Sequence, residues 1–213
     1  MKQQIRIIGG KFRGKKITFP TTEGLRPTPD RIKETLFNWL MHSLVGAHCL
    51  DAFAGSGALG FEAYSRGAAE VVLVEKSRVA YQNLQRTAHE FNHNRTAGLT
   101  NNTLETIHGD SEVYLNTTTK SFDIIFLDPP FASMCYQTML ELITSRNLLT
   151  PNGLIYIESP CLLVFDSNHW TTLKQKRAGT VYYSLLCKAT WQAAPLLFQS
   201  MKWLTETKNG YDE

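Results

Sequence analysis

Asp128-Pro129-Pro130-Phe131 directly follows the apolar run 122–127, Phe-Asp-Ile-Ile-Phe-Leu. The run predicts a buried strand, and the paired prolines must end it, because proline has no N–H for a ladder. The chain then makes a stiff corner at a strand's carboxyl end, carrying a carboxylate, proline carbonyls and an aromatic ring. In open α/β sheets that edge is where ligands bind. A carboxylate, a proline carbonyl and a ring face together suit a flat, amino-bearing group. Taken alone the tetrapeptide reads equally well as a turn that stops a strand, so its companions decide.

The main companion is Leu50-Asp-Ala-Phe-Ala-Gly-Ser-Gly-Ala-Leu-Gly60, where Gly55, Gly57 and Gly60 spell the dinucleotide fingerprint GxGxxG. Glu75 ends a second apolar run 20 residues after Gly55, where a carboxylate would meet ribose hydroxyls. These features alone fit an NAD(P) enzyme. Asp51 argues otherwise. Its carboxylate, set on the approach to the loop, suits a ligand with an ammonium and a sulfonium and would repel a pyrophosphate, which wants bare amides. The chain also has one nucleotide-binding half and no separate substrate domain. Asp110, after the third run in His108-Gly-Asp110, can accept from an adenine amino group, although it also reads as a helix N-cap. The pattern favours S-adenosylmethionine, with Phe53, Ala54, Ser56, Lys76 and Ser111 assigned to the same site and Asp128 bordering it.

Strand and helix patterns must position these residues. Strands are predicted at 48–52, 70–75, 104–108, 122–127 and 153–158, and helices at 57–66, 77–92, 111–116 and 136–145. Gly67 is a helix stop and Ser77 an N-cap. Runs 171–176 and 180–186, joined by Ala178-Gly179, predict a closing hairpin. The order implies a mainly parallel seven-stranded sheet, covered on both faces, with an antiparallel edge. Before it, Ile5-Arg-Ile-Ile8 and Lys11–Ile17 around Gly9-Gly10 predict a hairpin with Phe12 on an exposed ribbon. A helix is expected from Pro29 to about residue 43, with Thr28 as its N-cap. We therefore divide the chain into an extension at 1–45, a catalytic domain at 46–190 and a tail at 191–213 with a short helix at 196–204. The stretch 92–103 reads as a polar loop.

The 213 residues are 43% hydrophobic, enough for a full core, and carry a net charge of +3. Residues 1–35 hold nine basic groups against three acidic ones, a net of +6 that leaves −3 for the remainder. Such segregation suggests a polyanion-binding end on an ordinary catalytic body. Lys11, Arg13, Lys15, Lys16, Arg26 and Arg31 are the candidate contacts. The four cysteines are scattered with no CxxC pair, which argues against zinc and disulfides and for a reducing compartment. Cys49 and Cys187 read as core. His89 and His93 lie four apart without a third ligand, so no metal is expected. No stretch approaches the ~18 uncharged apolar residues of a membrane span. We expect a cytoplasmic monomer that does not engage membranes.

Asp51-x-Phe-x-Gly-Ser-Gly57 with Asp128-Pro-Pro-Phe131 resembles the amino-methyltransferases that carry an (Asp/Asn)-Pro-Pro-aromatic motif. Arg6-Ile-Ile-Gly-Gly-Lys-Phe-Arg-Gly14, Leu25-Arg-Pro-Thr-Pro-Asp-Arg31 and Glu34-Thr-Leu-Phe-Asn-Trp-Leu40 narrow the likeness. They resemble the RsmD family of bacterial 16S rRNA guanine-N2 methyltransferases, from about Ile5 to Leu186. The resemblance implies a Rossmann-like class I S-adenosylmethionine-dependent methyltransferase fold. It also implies a guanine in 16S rRNA as target, within a partly assembled small ribosomal subunit. A DNA adenine-N6 or protein glutamine-N5 methyltransferase shares the tetrapeptide chemistry, although no target-recognition domain is evident.

Overall fold

The computed structural model describes residues 2–20, 27–93, 102–130 and 135–189. Among them, β1 (Lys2–Arg6) and β2 (Lys16–Pro20) form an antiparallel ribbon, followed by α1 (Asp30–Trp39). The body then alternates β3 (His48–Asp51), α2 (Gly60–Ser65), β4 (Glu70–Glu75), α3 (Arg78–His93), β5 (Thr103–His108) and α4 (Ser111–Thr117). It continues with β6 (Phe122–Leu127), α5 (Tyr136–Ser145), β7 (Leu149–Ser159), β8 (Trp170–Ala178) and β9 (Val181–Lys188). The seven-stranded sheet has the order β5-β4-β3-β6-β7-β9-β8. Five strands are parallel, and β9 and β8 close the edge antiparallel.

The central strands are apolar on both faces over residues 49–50, 71–74 and 124–127, because both faces are covered. Cys49, Val71, Leu73, Ile124 and Phe126 point into one core, which also takes Ile5, Ile7, Ile17, Phe19, Leu36 and Phe37 from the N-terminal segment. Leu50, Val72, Val74, Ile125 and Leu127 point into the other, against Met139 and Ile143 of α5. A side chain of this kind contributes roughly 1.5–3 kcal/mol when fully buried. No helix among the described residues is long and apolar enough to cross a membrane.

The order places β3 and β6 side by side at the switch point, since the chain leaves β3 in one direction and returns through β6 in the other. The turns after β3, β4, β5, β6 and β7 therefore gather at one carboxyl edge.

The N-terminal segment departs from the sequence reading. Gly9 and Gly10 do not form a tight hairpin turn between strands at 5–8 and 11–17. The strands lie further out, and residues 8–12 dock on the end of α2. Ile8 N donates to Glu62 (2.8 Å), Lys11 N to the Ser65 carbonyl (2.7 Å) and Phe12 N to Ser65 Oγ (2.9 Å). A Cβ on Gly10, whose φ is +72°, would stand 2.0 Å from the Ser65 carbonyl oxygen. Close backbone approach, not turn geometry, demands glycine there. Phe12 is likewise not on an exposed ribbon: its ring packs 4.4 Å from that of Phe91.

Other boundaries shift for local reasons. α1 ends at Trp39 rather than near 43, and Thr28 does not cap it: Pro29 occupies the N-cap with no side-chain bond. α2 begins at Gly60, not Gly57, because residues 55–59 are occupied in the glycine turn. β7 starts at Leu149, four residues early, with an irregularity opposite Phe122–Ile124. The closing hairpin is longer than expected at both strands. Gly67 (φ +102°) ends its helix, and Ser77 Oγ accepts from Ala80 N at 3.4 Å, both as the sequence predicts. The tail at 191–213, with the helix expected at 196–204, and residues 94–101 of the polar loop expected at 92–103 lie outside the described residues; the loop is shorter at both ends than expected, since residues 92–93 belong to α3 and Thr103 opens β5.

Candidate active site

The carboxyl edge holds a chain of acids, each fixed by backbone amides or hydroxyls. Asp51, last in β3, is buried, and its Oδ2 accepts from Gly60 N at the start of α2 (3.0 Å). Burial lifts its pKa to about 7, opposed by the amides of Gly60 and Phe53 and reinforced by Glu75 and Glu158. Between them, Gly55 (φ +52°) and Gly57 (φ +80°) turn the chain back on itself, closed by Gly57 N donating to the Ala54 carbonyl at 2.6 Å. A Cβ on Gly57 would stand 2.2 Å from the Phe61 ring. Ser56 is buried in the turn, and Phe53 packs on the second core.

Glu75, at the end of β4, uses both carboxylate oxygens on backbone. Oε2 accepts from Gly55 N (2.8 Å) and Oε1 from Ser77 N (2.7 Å). Asp110 is the N-cap of α4: Oδ1 accepts from Glu112 N (2.9 Å) and Val113 N (3.4 Å), while Oδ2 pairs with Lys76 at 3.0 Å. The Lys76 ammonium and the two amides hold Asp110 below its ordinary pKa against some desolvation. Beside it, Ser111 Oγ donates to the Ala52 carbonyl. The predicted cofactor residues are thus brought to one edge. In this structure, however, the carboxylates of Glu75 and Asp110 hold protein amides, the scaffolding role that the sequence left open for Asp110.

Asp128 follows β6, half-buried, with Pro129 buried and Pro130 exposed. Phe131 lies outside the described residues, as does Arg26. Because β6 and β7 are parallel with Leu127 opposite Ile157, Asp128 and Glu158 leave neighbouring strands side by side. Sequence reading missed Glu158, along with Thr28 and Tyr156. Thr28 Oγ1 donates to Glu158 Oε1 (2.9 Å) and also lies 3.4 Å from Asp128 Oδ2. The Tyr156 hydroxyl donates to the same Glu158 oxygen at 2.8 Å. Burial pushes the Asp128 carboxyl well above its ordinary pKa, with Glu158 and Asp51 adding repulsion. Glu158 is raised too, by burial, against its two hydroxyl donors. A signal for Glu158 existed: 154–158, Leu-Ile-Tyr-Ile-Glu, ends an apolar run on a carboxylate just as 122–128 does.

The expected basic patch is divided. Lys11, Arg13 and Lys16 are exposed, as is Arg31. Lys15 instead pairs with Glu90 (3.4 Å) and lies 4.4 Å above the Phe91 ring. Residues 11–15 sit against the C-terminal ends of α2 and α3, whereas Lys16 and Arg6 face a cavity of about 360 Å³ beside Thr28. Arg6 and Lys33 both pair with Asp30, at 3.2 and 3.0 Å, and the buried Lys33 ammonium also donates to the Arg6 carbonyl (2.7 Å).

Chemically, the site offers buried acids to a cationic ligand. The amide at the start of α2, which would meet a pyrophosphate in a dinucleotide enzyme, is already taken by Asp51. The glycine turn and its acids fit a sulfonium-bearing amino acid nucleoside better than NAD(P).

A family model described as Conserved hypothetical protein 95 matches residues 5–187. Ribosomal RNA small subunit methyltransferase D of Haemophilus influenzae is 40% identical over 187 residues, covering 86% of this chain and 94% of the relative. The protein of the same name from Escherichia coli K12 is 40% identical over 185 residues, covering 85% and 89%. Among solved structures, one from Escherichia coli, provisionally assigned as the methyltransferase yhhF, superposes with a TM-score of 0.76 at 38% identity, covering 89% of this chain and 100% of that one.

Proposed function

The chain belongs to the RsmD family, the one described as Conserved hypothetical protein 95, and from that premise we propose that it methylates rRNA of the small ribosomal subunit, using S-adenosylmethionine. We infer further that the methyl goes to the exocyclic N2 of a guanine and that Asp128-Pro129-Pro130-Phe131 presents it. The observation that carries this reading is the meeting of Asp128 with the acid-lined glycine turn at one sheet edge. The names of the relatives support rRNA as the substrate, and we infer a partly assembled small subunit as its context.

When bound, the donor supplies an electrophilic methyl on a sulfonium. Asp51 would face the ammonium of its amino acid end, with Glu75 and Asp110 toward the nucleoside. The chain's further task is orientation, which can lower a barrier by about 7–11 kcal/mol. An exocyclic guanine amine delocalises its lone pair into the ring. Asp128 accepts one N–H and the Pro129 carbonyl the other, so the nitrogen pyramidalises and its lone pair points outward. As the nitrogen becomes cationic, Asp128 takes a proton from it. Phe131 stacks on the base, a contact worth about 1–3 kcal/mol. A paired base cannot enter such a corner, so the target is unpaired or flipped. Exposed Lys11, Arg13, Lys16 and Arg31 supply phosphate contacts for the surrounding RNA.

Mass spectrometry of small-subunit rRNA from a deletion strain tests the reading. The expected result is loss of one N2-methylguanine, restored by the wild-type gene and not by Asp128→Ala. Restoration by the alanine variant, or an unchanged rRNA in the deletion strain, overturns it.

A further inference from the structure

Thr28 comes from the N-terminal segment, 100 positions from Asp128 and 130 from Glu158, yet its side chain turns away from the helix it precedes and enters the space between the two acids. Thr28 is buried, and so is Glu158. A threonine hydroxyl has one hydrogen. Its short bond, 2.9 Å, commits that hydrogen to Glu158 Oε1. Asp128 Oδ2, at 3.4 Å, is a second acceptor within reach of the same hydroxyl, and while the hydrogen points to Glu158 only Thr28 lone pairs are left toward it. Two oxygens with only lone pairs between them repel, so that contact is favourable when Oδ2 carries the proton. Thr28 thus bridges the two acids, and a proton on Asp128 would have a hydroxyl path to Glu158. Tyr156, donating at 2.8 Å, fixes the Glu158 oxygen that receives it.

We propose that Thr28 and Glu158 are positioning residues that take the resting proton from Asp128, so that Asp128 meets the amine as a carboxylate. The inference rests on the reading of Asp128 as the group facing the amine. In the first step the Asp128 O–H bond breaks and a Thr28 O–H bond forms, while the hydrogen that Thr28 held passes to Glu158 Oε1. In the second, the amine lone pair forms the N–C bond, the C–S bond breaks and its electron pair stays on sulfur. Asp128 then takes the proton from the methylated, cationic nitrogen. Asp128 and Glu158 end protonated, and one proton leaves to water before the next cycle.

Other titratable groups face the pair. Asp51 from β3 repels charge on Asp128, and Tyr136 from α5 and Tyr156 from β7 stand close enough to couple electrostatically. Tyr136 and Tyr156 stay neutral at working pH, since burial pushes both up. The acceptor at the end of the path is therefore Glu158.

The test uses the full-length enzyme, small subunits from the deletion strain and radiolabelled S-adenosylmethionine. Thr28→Val fills the same volume without a transferable proton. It should lower kcat by about 10²-fold, the lower range for general acid–base steps. Binding of S-adenosylhomocysteine should be unchanged, and the acid limb of the kcat–pH profile should move to higher pH. Thr28→Ser should return both to near wild type. Should Thr28→Val fold poorly, as judged by S-adenosylhomocysteine titration, Glu158→Gln serves: it keeps both acceptor contacts but cannot take a proton, and should give the same loss in kcat, while removal of its repulsion on Asp128 moves the acid limb to lower pH. A wild-type kcat and limb in either folded variant, or a Thr28→Ser variant as slow as the valine, overturns the path. Activity in an Asp128→Ala control would instead overturn the assignment of Asp128 itself, so the two failures are distinguishable.

Discussion

The Gly55 amide donates to Glu75 across 2.8 Å, tying the turn after β3 to the end of β4. The second Glu75 oxygen accepts from Ser77 N. One side chain thus sets the shape of the cofactor turn and the start of α3. Replacing a carboxylate oxygen by an amide nitrogen removes one acceptor and places a donor against a donor. Hydrogen bonds to charged groups are worth about 1.5–3 kcal/mol. Glu75→Gln should weaken S-adenosylhomocysteine by roughly ten- to a hundredfold in calorimetry, with kcat at saturating donor close to wild type. A lowered kcat with unchanged affinity would contradict this role.

At Asp128 the roles of acceptor and base separate. Asparagine keeps a carbonyl to receive an N–H but cannot take a proton. Asp128→Asn should bind donor and RNA normally and lose about 10²–10⁴-fold in kcat, measured on small subunits from the deletion strain.

Asp51 has a pKa of about 7, up from 3.8. In the unfolded chain it ionises near pH 4, so between there and pH 7 the folded state holds the extra proton. Stability contributed by this group is then full at low pH and is lost as pH rises toward 7. Above that, the ionised and buried carboxylate costs about 4 kcal/mol at 1.36 kcal/mol per pKa unit. Asp51→Asn should therefore be more stable than wild type at pH 8 and nearly equal to it at pH 4, while binding S-adenosylmethionine less tightly. Urea unfolding across that range decides, and parallel curves for the two proteins would exclude the effect.

Two glycines of the N-terminal segment make a matched pair. Gly10 and Gly14 both have positive φ, +72° and +88°, but only Gly10 has backbone in the way. Gly14→Ala should cost about 1 kcal/mol, the penalty of conformation alone. Gly10→Ala adds a clash with the Ser65 carbonyl and should cost about 2–4 kcal/mol. Thermal unfolding reads the difference, and equal losses would show that residues 8–12 are not held against α2.

For RNA, the four basic residues of 11–16 should not be equivalent. Lys15 is engaged with Glu90 and Phe91. Neutralising Lys11, Arg13 and Lys16 together should flatten the salt dependence of RNA affinity by about 0.7 in log–log slope per lost phosphate contact. Lys15→Ala should change that slope little and lower the melting temperature instead. A filter-binding salt titration tests both statements.

The strand and helix alternation and the Asp-Pro-Pro corner were legible because they are local. An apolar run buried on both faces, a proline that stops a ladder and a glycine at a helix end act within a few residues. Hence β4, β6 and α5 have the bounds that the sequence predicts. The Gly9-Gly10 pair misled for a related reason. Its local signal is that of a turn, but its need for glycine comes from Ser65, far along the chain.

What the residues alone determined is the kind of chemistry: acids around a glycine turn, and a carboxylate on a stiff corner beside an apolar strand. Which of those acids work as scaffold, and which face the reaction, was decided by the tertiary structure. Parallel pairing of β6 with β7 set Glu158 beside Asp128, and the packing of α1 carried Thr28 between them. No pattern within one segment encodes such a meeting, because the free energy that holds it comes from burying the faces of distant elements against each other, and the polar contacts form only where that burial puts them.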